Sequence, residues 1–94
     1  MEKIPGLQWA IAKVIKETRE TKGLTQGQLA GFAGLSEVYL SKLERGIRGD
    51  SINGLMQLAK ALEMRPSELM TAIEAELANN PQKPDSIQGR PRQK

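Results

Sequence analysis

The chain has 94 residues, 38% of them hydrophobic, a formal net charge of +3, and neither cysteine nor histidine. That length holds one small domain with a core only just sufficient, and the two missing residue types exclude disulfides, thiolate chemistry, zinc fingers and the commonest general base. No apolar run approaches the roughly 18 residues of a membrane span, and residues 1–13 set charges too close to a short apolar stretch for a secretory signal, so a soluble, cytoplasmic protein is expected.

Hydrophobic periodicity predicts an all-α fold of five helices and a tail, with no strand and no internal repeat. Helix 1 is expected over residues 7–22, after Pro5-Gly6, with Leu7, Ile11, Val14, Ile15 and Thr18 on an inward arc. Thr25 and Gln28 are spaced for a capping box that starts a second helix at Gln26, with Leu29, Ala30 and Ala33 on its buried face. Gly34 stops that helix, because glycine accepts the left-handed conformation without a Cβ penalty. Ser36 can cap a third helix over residues 36–45, ending at Gly46. Its Leu40 and Leu43 point inward, and Glu37, Val38, Ser41, Lys42 and Arg45 form a stripe on the other side. Two short helices hinged by a glycine, the second with a polar outer stripe, have the grammar of a helix-turn-helix. Ser51 can cap a fourth helix over 52–62, buried through Ile52, Leu55, Leu58, Ala59 and Leu62. The fifth starts at Pro66, a favoured first helical residue, and runs through Leu69, Met70, Ile73 and Leu77, with more apolar length than a closing helix needs. Residues 1–78 are thus read as one domain, and 79–94 as a basic tail whose prolines and single large apolar residue, Ile87, predict disorder.

The run Gly23-Leu24-Thr25-Gln26, then Gln28-Leu29-Ala30, Gly34-Leu35-Ser36 and Tyr39-Leu40-Ser41-Lys42-Leu43-Glu44-Arg45-Gly46 resembles the Cro/C1 (XRE-type) helix-turn-helix family of phage and bacterial repressors. The resemblance continues through Leu55, Leu58-Ala59-Lys60-Ala61-Leu62 and Pro66-Ser67-Glu68-Leu69, and covers about residues 7 to 72. It implies a lambda-repressor-like DNA-binding domain, with the motif at about 25–45 and the third helix in the major groove. The charge follows that division: +3 over residues 1–61, −3 over 62–78 and +3 over 79–94, so the DNA-facing and far sides of the domain are expected to differ in sign.

By the resemblance, Glu37, Val38, Ser41 and Lys42 are the base-reading positions. Lys42 suits guanine O6 and N7, and Val38 a thymine methyl. Glu37 either accepts from cytosine N4 or only complements the dipole at the helix start. Thr25, Gln26, Tyr39, Arg45 and Arg48 suit phosphates; Tyr39 is equally readable as a core aromatic with its hydroxyl at the rim, and Arg48 as a solvated loop charge. The family also pairs an arginine late in helix 1 with a glutamate late in helix 3, which implies a partly buried Arg19–Glu44 ion pair that orients helix 3. Gly27 and Gly31 depart from the family, which often has Glu, Lys or Gln there; Gly31 either loosens helix 2 or permits a close approach. An exposed Phe32 would hint at an interface.

One reading helix makes few contacts, so a homodimer on a palindrome is expected, with Met70, Ile73 and Leu77, near Met56 and Met64, as interface candidates; the alternative is that they cap the monomer core. Trp9 is expected against Met64, against a partner, or partly exposed. The partner is double-stranded DNA, and the role a transcriptional regulator of repressor or controller type. The alternative is an antitoxin or bridging adaptor that also engages a protein partner through helix 5 or the tail. No catalytic constellation, cofactor, metal, membrane or small-molecule substrate is expected.

Overall fold

The computed structural model describes residues 4–47 and 51–79. Its five helices are α1 Leu7–Thr21, α2 Gln26–Ala33, α3 Glu37–Glu44, α4 Ile52–Ala61 and α5 Pro66–Asn79, and among the described residues there is no strand. The expected all-α architecture is therefore the observed one. Arg48 and the tail from residue 80 lie outside the described residues.

The helix boundaries follow from local chemistry. The side chains of Thr25, Ser36 and Ser51 each accept a hydrogen bond from the backbone N–H three residues on, which starts α2, α3 and α4. The first four helices end alike. The amide of the sixth residue returns to the carbonyl of the first in Leu24→Arg19, Leu35→Ala30, Ile47→Lys42 and Met64→Ala59, the signature of a Schellman turn. Gly23, Gly34 and Gly46 fill the left-handed position in three of these turns, and Glu63, at φ 61°, fills it in the fourth. Leu24, Leu35 and Met64, the residues after that position, fold back onto the core.

α1 packs on α3 and α5, α2 on α3 and α4, and α4 on α5. Ile15, Leu29, Leu40, Leu43, Leu58, Leu62 and Leu69 are fully buried where they meet. Each such side chain is worth about 1.5–3 kcal/mol on leaving water. Eight-residue helices are marginal alone, so burial of this size, not propensity, holds α2 and α3 in place. A Lys13–Glu76 ion pair of 3.1 Å ties α1 to α5, and Glu76 holds the Lys13 ammonium above its ordinary pKa by hydrogen bond and charge.

Two expectations are corrected. Ile52 is 64% exposed: it is the first residue of α4, and its Cβ points back toward the helix start, off the end of the core. Ile73 is 3% exposed within a single chain, because α5 spends that part of its apolar face on α1 and α4; it is not available to a partner. Trp9 is 45% exposed, as one of its readings had it, and its ring lies 3.6 Å from where a side chain on Gly46, in the loop after α3, would begin.

Candidate nucleic-acid interface

Thr25 sets the first element of the interface. Its hydroxyl accepts from the Gln28 amide at 3.0 Å, and its own amide donates to Gln28 Oε1 at 2.9 Å. This capping box fixes the exposed start of α2. Gly34, at φ 71°, turns the chain, and the Ser36 hydroxyl accepts from the Tyr39 amide at 3.0 Å to begin α3.

α3 then divides by face. Leu40, Leu43 and Glu44 are buried; Glu37, Val38 and Lys42 are exposed, with Ser41 half-buried beside them and Arg45 exposed just past the helix end. Val38 is 65% exposed, an aliphatic side chain held out in water on an otherwise polar stripe. The four residues named as base readers thus lie together on one helix, and the described phosphate candidates Thr25, Gln26, Tyr39 and Arg45 lie on its flanks and at the start of α2.

Behind the stripe lies a charged anchor. Arg19 donates to Glu44 through Nε (2.8 Å, to Oε2) and Nη2 (3.0 Å, to Oε1), and through Nη1 to the Leu24 carbonyl at 2.7 Å. The fork geometry is the strong form of such pairs. The hydrogen bond to Glu44 raises the already high pKa of Arg19 against the opposing effect of burial, so the guanidinium is charged at any relevant pH. Arg19 and Glu44 therefore fasten α1 to α3 from behind and do not face outward.

Gln26 joins this anchor. Its Nε2 donates to Glu44 Oε1 at 3.0 Å, which links the start of α2 to the end of α3. The amide nitrogen carries a second hydrogen. The sequence reading missed this bond, because nothing in a sequence aligns a residue of α2 with one 18 positions later.

Tyr39 is half-buried against the start of α4, where a Cβ on Gly54 would stand 2.8 Å from its hydroxyl oxygen and 3.2 Å from Ser51 Oγ. The sequence carried one signal of it: a glycine in the first turn of a capped helix marks a close approach. Gly31 has no neighbour within 4 Å of a built Cβ, so among the described residues no other helix makes use of its missing side chain. Phe32, next to it, is 67% exposed.

A protein-family model described as a helix-turn-helix domain matches residues 10–72. The chain is 45% identical over 53 residues to the "uncharacterized HTH-type transcriptional regulator y4dJ" of Sinorhizobium fredii, covering 56% of this chain and 69% of that protein. It also matches two mycobacterial HTH-type regulators, of whose length it spans only 36%. Among solved structures it is similar to the restriction-modification controller protein C.AhdI of Aeromonas hydrophila, at 38% identity and a TM-score of 0.62, covering 64% of this chain and 91% of that one. It is similar, too, to the controller C.Esp1396I, solved as a tetramer in complex with its natural 35 base-pair operator, at 32% identity and a TM-score of 0.72, covering 77% and 95%. With the motif, the five helices and these relatives in agreement, the chain belongs to the helix-turn-helix family, of the Cro/C1 (XRE) type.

Proposed function

We propose that this chain is a sequence-specific DNA-binding transcriptional regulator of repressor or controller type, which docks α3 in the major groove as a homodimer on a palindromic operator. The observation that carries the reading is the divided α3: Leu40, Leu43 and Glu44 lock one face into the domain while Glu37, Val38 and Lys42 stand exposed on the other. A rigidly seated helix with such a stripe is what a major groove accepts. Lys42 reads guanine, Glu37 accepts from cytosine N4, Val38 covers a thymine methyl, and Ser41 lies beside them. Thr25, Gln26, Tyr39 and Arg45 take phosphates and set the register, and Arg48 is assigned the same role.

The dimer reading keeps Met70 and, at its edge, the half-buried Leu77. Met70 lies one turn beyond Pro66, which with Met56 and Met64 lines an apolar groove between α4 and α5. Two such surfaces related by a two-fold axis would present two copies of α3 about 10 to 10.5 bp apart. That C.Esp1396I was solved as a tetramer on its operator supports an oligomeric reading.

Selection of bound duplexes from a random pool at physiological salt tests the proposal. Enrichment of a palindrome with half-sites one turn apart is the expected result. Binding that enriches no sequence and disappears with added salt would overturn it, and would leave a basic surface serving a protein-bridging adaptor.

A further inference from the structure

Gly27 is the second residue of α2, and the carboxylate of Glu37, from the first position of α3, lies over it. A Cβ built on Gly27 would stand 3.4 Å from Glu37 Oε1 and 3.7 Å from both Cδ and Oε2. A side chain on Gly23 or Gly31 would meet nothing within 4 Å, and those on Gly34, Gly46 and Gly54 would meet Gln57, Trp9, Tyr39 and Ser51 rather than a carboxyl group. The location suits an anion, because the first-turn amides of a helix have no intrahelical acceptor and stand at the positive end of its dipole. The capping hydroxyl of Thr25 is already taken by the Gln28 amide.

We propose that Gly27 is a specificity-determining position: by leaving the space above the first turn of α2 empty, it allows the Glu37 carboxylate to rest there and so fixes where that acceptor stands at the DNA surface. The inference rests on the reading above, in which Glu37 faces a base. An exposed glutamate has three side-chain torsions and no fixed carboxylate position of its own. Over the bare start of α2 its carboxylate has room that a side chain longer than alanine at position 27 would fill, and where the acceptor stands decides which base it meets. Gly31 supplies the contrast within the same helix. Both glycines weaken α2 relative to alanine, yet a side chain on Gly31 would meet nothing within 4 Å.

The test uses the full chain and competitive binding to duplexes varied one base pair at a time. Glu37→Ala first identifies the pair that Glu37 reads. Gly27→Glu then sets a second carboxylate in the space that the first occupies. A glutamate early in a helix suits the dipole, so this variant is expected to fold; Gly27→Gln, of equal length and uncharged, carries the same test should it not. The expected result is a change of about fivefold or more in preference at the pair identified with Glu37→Ala, at the low end of what a base contact is worth. The change is confined to that pair and is absent when Gly27→Glu is made in the Glu37→Ala background. Gly31→Ala leaves the profile unchanged. An unaltered preference in Gly27→Glu and Gly27→Gln, or a change equally large without Glu37, would overturn the inference. A Glu37→Ala variant with the wild-type profile at every pair would instead overturn the base-reading role of Glu37, and the inference with it.

Discussion

Replacing Arg19 by methionine tests whether the pair behind α3 is a structural element or an incidental contact. The Glu44 side chain is 2% exposed and that of Arg19 11%, so the variant would bury a carboxylate with Gln26 Nε2 as its remaining side-chain donor and leave the Leu24 carbonyl without the guanidinium. Breaking a buried pair from one side costs about 3–5 kcal/mol, several times the value of an exposed pair. A chain of this size has about 5–14 kcal/mol in all, so Arg19→Met should lose roughly a fifth of its stability or more. Glu44→Gln should lose less. It leaves Arg19 partly in water, 3.8 Å from Glu20 and still bonded to the Leu24 carbonyl, and it retains an oxygen acceptor. The double variant Arg19→Met/Glu44→Met removes both desolvation costs and should recover most of the loss. Urea melts of the four proteins give the energies, and titration of the selected duplex gives the affinities. If the pair orients α3, the double variant folds but binds DNA less tightly than wild type. A loss below about 1 kcal/mol in Arg19→Met would refute the reasoning, since the pair would then be energetically a surface contact.

Three further outcomes are expected. Lys42→Ala should change preference at one base pair by about 1–3 kcal/mol, while Arg45→Ala should weaken all duplexes alike and reduce the salt slope by about one unit, both read from binding isotherms across salt; identical behaviour would abolish the division between readers and clamps. Gly54→Ala brings a methyl to 2.8 Å from the Tyr39 hydroxyl oxygen, and should cost about 1–3 kcal/mol by overpacking despite its gain in helix propensity; Tyr39→Phe in that background should restore part of it in the same melts. Glu63→Gly relieves a left-handed residue at φ 61° in the turn after α4 and should raise stability by about 0.5–1 kcal/mol, net of the entropy that glycine adds to the unfolded chain; a lower melting temperature would contradict it.

What was legible in the sequence is what local chemistry decides. Thr25 with Gln28, then Ser36 and Ser51, marked three helix starts because a capping side chain acts within three residues. Leu40 and Leu43 marked the inner face of α3 because helical spacing is local too. The errors lie where one helix meets another. Ile52 carries the right periodicity for burial, but it stands at the end of α4, where no neighbour covers it. Ile73 looked surplus only because the demand of α1 on α5 cannot be counted from either helix alone. The Gln26–Glu44 bond and the seat of Glu37 over Gly27 depend on the angle between α2 and α3, which no spacing rule supplies.

That angle is also where the accuracy of the interface is made. α3 has eight residues, and its outward stripe of Glu37, Val38 and Lys42 is exposed and adds little to its stability. Its placement comes from contacts at its two ends and along its side. At its end, Glu44 is held by Arg19 of α1 and Gln26 of α2. Along its side, Tyr39 rests on the bare backbone of Gly54 in α4. At its start, Glu37 rests on Gly27 of α2. The helix thus meets three neighbours at three points, and the contact with Gly54 depends on a missing side chain. An error of about 1 Å in the height or tilt of α3 is enough to lose a bidentate base contact, so substitutions at the buried Arg19, Glu44 and Gly54 should alter recognition while leaving the reading residues in place.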